Sequence, residues 1–321
     1  MQTTRRILLA AGLAAGVLGW QAPAMAQTTI PIIVKDTTSQ YWQIVLAGAR
    51  KAGQELGIKV PELGAQSESD INGQITALEN AVSEHPAAIV IAPTQFAALG
   101  PPITAAAKEV KIIGIDSGAD TKAFTSFLTT DNVKGGEMAG EALAEAIKQK
   151  TGKDAGDVAL ITALPGVGSL DQRAEGFKRA LARHPGLKLV ASRIADGQAT
   201  TGLNIMSDLL TANPNLVGVF ASNLYMIQGA SQALAEAGRA DKVALVGFDS
   251  DKNLVNFLRT GVIYALVVQD PYRMGHDGID IALKASKGEA VPKLIDTGVT
   301  VITKANLDSP RAQELLNPKL Q

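Results

Sequence analysis

The sequence predicts an α/β protein made of two doubly wound, parallel-sheet lobes. Three observations carry this. Short strand patterns rich in Val, Ile and Leu alternate with helical patterns along the whole chain. Single helices between successive strands force parallel pairing with right-handed crossovers, and strands apolar on both faces suit sheets covered by helices on both sides. The rhythm also runs once, breaks near Thr130-Asp131 and starts again, and a chain of 321 residues has room for two domains.

In the first run, Ile30 to Val34 is β-branched and apolar, as a buried strand requires. Tyr41 to Leu56 carries apolar residues at helical spacing and stops at Gly57. Ile58 to Leu63 is a weaker strand, interrupted by Pro61. Asp70 can cap a helix reaching about Glu84. Ala87 to Ala92 is a strand, Gln95 to Glu109 a helix, Val110 to Ile115 a strand and Phe124 to Thr129 a further short strand. In the second run, Asp131 opens an Ala-rich helix to about Lys150, and Thr151 to Gly156 is a polar loop. Strands are predicted at Val158–Thr162, Leu187–Arg193, Leu216–Ala221, Val243–Phe248, Val262–Val268 and Val299–Ile302. Helices fall between them at Leu170–Arg183, Thr200–Thr211, Ile227–Ala237 and Leu254–Arg259, and after Val268 to about Lys287. No Pro/Ser-rich linker separates the runs, so short crossing strands rather than a tether should join the lobes.

The first 26 residues read as a cleavable secretory signal. Arg5 and Arg6 precede the uncharged apolar stretch Ile7 to Trp20, and Ala24-Met25-Ala26 offers small residues to a signal peptidase. The stretch is shorter than the roughly 20 residues that a bilayer span needs. Thr4 to Leu9 also has the look of a twin-arginine signal. The mature chain is expected to start near Gln27 and to reside in the periplasm. Later apolar runs, such as Ala87 to Ala92, are short. Thirty Lys and Arg against 31 Asp and Glu leave a formal charge of −1, with no clustered basic face for nucleic acid. Cysteine is absent, and a core of this size needs no disulfides.

In open α/β sheets, ligands bind past the carboxyl ends of the strands. The residues there are Lys35, Asp36 and the pair Tyr41-Trp42, then Asp116-Ser117, Pro165 to Asp171, Ser222-Asn223, Asp249 and Gln269-Asp270. Carboxylates and amides hydrogen-bond hydroxyls. An aromatic face covers C–H bonds, and with aromatics only 4% of the chain, two adjacent ones at a strand end are informative. Each Asp or Asn could instead cap the helix that follows, and either aromatic could be filling the core.

Several segments resemble the ribose-type periplasmic binding proteins. Val246-Gly247-Phe248-Asp249 is similar to their V-G-F-D, and Thr130 to Gly136 to their S-D-N-x-x-G-G hinge and helix start. Phe220-Ala221-Ser222-Asn223 is similar to their F-A-x-N, and Arg173 to Phe177 to their R-x-x-G-F. The order and spacing of the four matter more than any one, and the resemblance runs from about Thr29 to Thr303. It implies two flavodoxin-like lobes joined by a three-strand hinge, the type I fold of these proteins. The first lobe would hold residues 27–130 and 270–298, the second 131–269 and 299–321. It implies a monomer whose lobes close over one monosaccharide for delivery to the membrane subunits of an ABC importer. It implies ligand contacts from Tyr41, Trp42, Asp116, Asn223, Asp249 and Gln269, a structural role for Arg173 and a helix cap at Asp131. An alternative with the same fold is a sensor presenting a sugar or furanose signal to a chemoreceptor.

The departures concern charge. Ribose binders carry arginine directly after the strand-end Asp, where Ser117 stands, and two residues before the match to Arg173, where Asp171 stands. Lys35 and Asp36 occupy positions of small hydroxyl residues. The expected site therefore also includes Asp36, Ser117 and Asp171. Several carboxylates in one dry cleft repel unless paired, so an amino sugar is expected, with a pentose, hexose or polyol as the next candidates. The competing reading is that Asp171 or Asp36 faces solvent, or pairs with Lys35 or Arg173.

Enzyme signatures are missing: H-E-x-x-H, G-x-S-x-G and a Walker lysine do not occur, and His85 and His184 sit before Pro at helix ends. Pro165 to Asp171 begins like a dinucleotide fingerprint, but Asp171 occupies the third glycine's place. A sugar-responsive repressor would need a helix-turn-helix where the apolar N-terminal stretch lies. No catalytic residue, cofactor, metal or nucleic-acid partner is expected.

Overall fold

A computed structural model describes residues 27–318; the expected signal, residues 1–26, lies outside them. The chain begins with β1 (Ile32–Val34), α1 (Gln40–Leu56), β2 (Glu62–Gly64), α2 (Ile71–Ser83), β3 (Ala88–Ile91), α3 (Phe96–Ala106), β4 (Lys111–Ile115) and β5 (Ser126–Thr129). It continues with α4 (Asn132–Thr151), β6 (Gly156–Ala163), α5 (Gly168–Arg183), β7 (Leu187–Ala195), α6 (Ala199–Ala212) and β8 (Leu216–Ala221). Then come α7 (Leu224–Glu236), β9 (Ala244–Phe248), α8 (Lys252–Thr260), β10 (Ala265–Gln269), α9 (Pro271–Ser286), β11 (Leu294–Asp296), β12 (Val299–Thr303) and α10 (Pro310–Leu316).

Two six-stranded sheets result. Their orders are β2-β1-β3-β4-β5-β11 and β7-β6-β8-β9-β10-β12, the same winding twice. Apolar residues alternate between two covered faces, as a doubly wound sheet requires. In the first sheet Ile33, Ile89 and Ile91 pack with Leu78 of α2 and Leu99 of α3, while Ile32, Val90 and Ile113 pack with Val45 of α1 and Ile279 of α9. In the second, Val158, Leu160 and Phe220 meet Leu143 of α4 and Phe177 of α5, while Ile161 and Val219 meet Met206 of α6 and Ile227 of α7.

The chain crosses between sheets three times: at Thr130-Asp131 after β5, at Asp270 after β10, and at Thr297-Gly298 between β11 and β12. This is a three-strand hinge. Four features differ from the sequence reading. The short β11, parallel to β5, and α10 carry too few periodic residues to announce themselves. β12 runs antiparallel to β10, because it enters directly from β11 without a crossover helix. And the segment after β12 is shared between lobes: Asp308 pairs with Arg259 of α8, whereas Arg311 of α10 pairs with Asp270 at the start of α9.

The helices flanking each sheet come unusually close. A Cβ on Gly275 of α9 would lie 1.9 Å from the Val45 carbonyl oxygen of α1, and one on Gly48 of α1 would lie 2.0 Å from that of Tyr272. Gly136 of α4 and Gly176 of α5 form the matching pair in the second lobe. These neighbours are backbone and cannot rotate away. Gly275→Ala is therefore expected to destabilise the fold by about 1–3 kcal/mol, seen as a lower thermal midpoint with secondary structure retained.

Candidate functional site

The carboxyl ends of both sheets face each other across a narrow cavity of about 30 Å³, space for roughly one water, so the side chains of the two lobes nearly meet. The first lobe lines it with Lys35, Tyr41, Trp42, Glu68 and Asp116, the second with Ser169, Asn223, Tyr225, Asp249 and Gln269.

The loop after β1 is folded by its own polar groups. Asp36 Oδ1 accepts from the backbone N–H of Thr38 (2.7 Å) and of Ser39 (2.8 Å), and Ser39 caps α1. That cap sets Tyr41 and Trp42 in the first helical turn. Their rings meet edge to face at 4.9 Å. The Tyr41 hydroxyl donates to Asp116 Oδ1 at 2.9 Å, and Trp42 Nε1 donates to Glu68 Oε1 at 2.7 Å.

Asp116 and Asp249 occupy equivalent places, after β4 and β9. Both are left-handed, with φ of 61° and 72°, a conformation held only where the surroundings impose it. Each N–H donates to the next strand, Asp116 to Leu128 O (2.9 Å) and Asp249 to Val267 O (2.8 Å), which turns the carboxylates into the cleft. Lys35 Nζ lies 2.7 Å from Asp116 Oδ2, and both side chains are almost wholly buried. Burial pushes the Asp116 carboxyl up, but the Lys35 charge and hydrogen bond, with Arg173 behind, outweigh it and hold it below the ordinary carboxylate value. Asp249 accepts from Gln269 Nε2 (2.7 Å) and the Leu224 N–H (3.1 Å), with Arg173 Nη1 4.0 Å away. There burial wins and the carboxyl is raised, although Arg173 opposes it. Burial likewise raises the partly exposed Glu68, against the charge of Lys35, and sends the Tyr41 hydroxyl well above its usual range.

Arg173 is buried beneath this floor. It donates to Asn132 Oδ1 and to the Ser222 carbonyl, both at 2.9 Å, and its guanidinium lies 3.7 Å from the Phe248 ring centroid. Asn223 both lines the cavity and caps α7 through Met226 N–H. Ser117 is buried beside Asp116, donates to it (2.9 Å) and meets Ser169 of the other lobe at 2.8 Å. Tyr225 OH reaches across to Asp36 Oδ2 at 3.1 Å.

The structure thus gathers Tyr41, Trp42, Asp116, Asn223, Asp249 and Gln269 around one cavity, with Asp36 and Ser117 immediately behind its wall. Asp171 is the exception: it is exposed in the first turn of α5. That helix buries Leu170, Arg173 and Phe177, and position 171 points away from such a face. Sequence reasoning missed Glu68, Ser169 and Tyr225 as lining residues and took Lys35 only as a partner charge. Tyr225 had a signal, a rare aromatic two residues past a strand-end Asn. A larger groove between α1, α9 and α10 lies away from the strand ends, and its charges pair with one another, Arg311 with Asp270 and Glu314, His276 with Glu55 and Asp277.

Two doubly wound lobes, three crossings and a shared polar cavity at the strand ends define the type I periplasmic binding protein class. The chain belongs to the periplasmic binding protein family, whose domain model matches residues 30–290, and is of the ribose type. The family is one of substrate-binding transport proteins. The chain is 31% identical to the ribose import binding protein of Salmonella typhimurium, over 88% of this chain and 93% of that one. Among solved structures, a carbohydrate transporter solute binding protein from Agrobacterium radiobacter in complex with D-arabinose is 64% identical, with a TM-score of 0.91, covering 92% of this chain and all of that one. An ABC transporter solute binding protein from Agrobacterium vitis with bound D-fucose is 36% identical, with a TM-score of 0.85, over 90% of this chain and 99% of that one.

The Lys35–Asp116 pair has a pH signature. Because the folded-state value of Asp116 lies below its unfolded one, the pair's stabilisation is complete above about pH 4 and is lost as pH falls through the lowered value. Asp116→Asn leaves Lys35 buried without its counter-charge, and is expected to cost about 3 kcal/mol near neutrality. Denaturant titrations from pH 7 to pH 3 should show the gap to wild type closing in acid. A constant gap would contradict the assignment.

Proposed function

We propose that this protein captures a neutral monosaccharide, with an aldopentose as the first candidate, by closing its two lobes over it, and delivers it as a periplasmic monomer to an ABC importer. The observation that carries the reading is the convergence of side chains from both lobes on one cleft. Aromatic rings suited to the C–H face of a sugar and paired carboxylates suited to its hydroxyls converge there from both lobes. A solute touching both at once stabilises only the closed arrangement. The D-arabinose bound by the 64% identical relative supports a pentose. Periplasmic residence is supported by the signal-like residues 1–26 and by the family.

A neutral ligand is favoured over an amine because the carboxylates that suggested an amino sugar are accounted for. Asp116 is paired with Lys35, Asp36 accepts two backbone N–H groups and Tyr225, Asp249 has Gln269 and Arg173, and Asp171 lies outside.

Trp20 and Trp42 are the only tryptophans, so a chain beginning near Gln27 has Trp42 alone as its indole reporter. Titration with D-arabinose, D-ribose, D-allose, D-fucose, a pentitol and D-galactosamine is expected to change its emission and to raise the thermal midpoint with at least one neutral sugar. At 100 times the dissociation constant the added stability is about 2.7 kcal/mol. A response to D-galactosamine alone would restore the amine reading, and no response to any of them would remove the sugar assignment.

A further inference from the structure

We propose that Lys35 is the specificity-determining cation of this site: with Asp116 it offers one donor and one acceptor to neighbouring hydroxyls of an uncharged monosaccharide, and it turns away ligands carrying an ammonium there. The inference rests on the monosaccharide reading above and assigns the charge that the ligand must have.

The donors and acceptors can be counted. An ammonium has three N–H donors. Lys35 Nζ commits one to Asp116 Oδ2 and one to Ser117 Oγ, each at 2.7 Å, which leaves one. A carboxylate has about four lone-pair sites. Asp116 Oδ2 receives Lys35 and Ser117, and Oδ1 receives Tyr41, which leaves one site on Oδ1. Lys35, Asp116 and Trp42 all line the cavity. The pair therefore ends in a single donor beside a single acceptor, the complement of two adjacent hydroxyls, one accepting and one donating.

Lys35 is also fixed in place. It is almost wholly buried, its Nζ lies 5.6 Å from the Trp42 ring centroid, and its partner Ser117 is bonded in turn to Ser169 of the opposite lobe. A ligand ammonium in this corner would meet an immobile like charge where water screens little, and would find the Asp116 charge already neutralised. Asp249, Glu68, Asp36 and Arg173 are the other charges near the pair; Asp249 and Glu68 also line the cavity, but the first is met by Gln269 and Arg173 and the second by the Trp42 N–H.

The test is calorimetric titration of wild type, Lys35→Met and Lys35→Met/Asp116→Asn with D-arabinose, D-galactose, D-glucosamine and D-galactosamine. Wild type should bind a neutral sugar and prefer it to either amino sugar. Lys35→Met should weaken the neutral sugar by about ten- to a hundredfold and shift the ratio of amino to neutral affinity at least about tenfold towards the amine, because Asp116 is then unpaired. The double variant, which buries no lone charge, should also bind the neutral sugar weakly but without the shift in ratio, and it decides the matter if the single variant fails to fold. Neutral-sugar affinity unchanged in whichever variant folds, or wild type binding an amino sugar as tightly as a neutral one, overturns the role of Lys35 while leaving the sugar reading intact. Wild type binding none of the four, and none of the neutral sugars titrated above, removes both.

Discussion

A carboxylate sealed between two lobes has to be paired, and the pairing of Asp116 and Asp249 organises everything around the cavity. Lys35 neutralises the first and Arg173 approaches the second. Both cations are buried, so each needs further partners of its own. Lys35 takes Ser117 and the Trp42 face, while Arg173 takes Asn132, the Ser222 carbonyl and the Phe248 face. Those partners lie on β4–β5 loops and α1 in one lobe, and on α4, β8 and β9 in the other. Satisfying two charges has therefore fixed the relative positions of most of the strand ends.

The same network runs into the hinge. Gln269, the last residue of β10, donates to Asp249 at 2.7 Å and accepts from the Thr130 hydroxyl at 2.8 Å. Thr130 stands at the first crossing, and its carbonyl accepts from Asn132, the residue that also holds Arg173. Two of the three crossings are thus hydrogen-bonded to each other and to a cavity carboxylate. On the proposed lobe closure, a solute that bonds to Asp249 would act on a group one hydrogen bond away from the hinge, a physical route from occupancy to closure.

Much of this was legible from the sequence because it follows from periodicity. The strand-helix alternation dictates two wound sheets; the rule that ligands lie past strand ends gives a longer list of polar and aromatic residues, and the resemblance to ribose-type binding proteins narrows it to Tyr41, Trp42, Asp116, Asn223, Asp249 and Gln269. What escaped depended on quantities a linear pattern does not carry. Asp171 sits in a strand-to-helix connection like the others, but the phase of α5, fixed by Leu170, Arg173 and Phe177, turns it outward. Glu68 follows β2, a three-residue strand preceded by Pro61, so the strand end that presents it was faint. Ser169 and Tyr225 matter because the opposite lobe is nearby, and β12 is antiparallel because β11 leads straight into it. The excess of carboxylates that suggested an amine was a count of residue types; the distance from Lys35 to Asp116, residues far apart in the chain, changes its meaning.

The contacts that pass directly between lobes bear on how tightly a ligand can bind. Ser117 meets Ser169, Tyr225 reaches Asp36, and the Phe96 N–H at the start of α3 donates to the Gly166 carbonyl at 2.9 Å. None of these requires a ligand atom. Each favours the closed arrangement by the modest net value of a hydrogen bond, about 1 kcal/mol, and each must be surrendered to water when the lobes part. Apparent affinity is the intrinsic affinity scaled by the population able to hold the ligand. Direct bonds between lobes raise that population, so less of the ligand's interaction free energy is consumed in closing the hinge. They also slow release, because opening must break them together with the ligand contacts. On the proposed function, a receptor that has to yield its cargo cannot accumulate many such bonds. On that same reading, three direct polar contacts between the lobes, set against a hinge whose own network already runs into the cavity, place the balance between capture and release in the side chains that flank the ligand as much as in those that touch it.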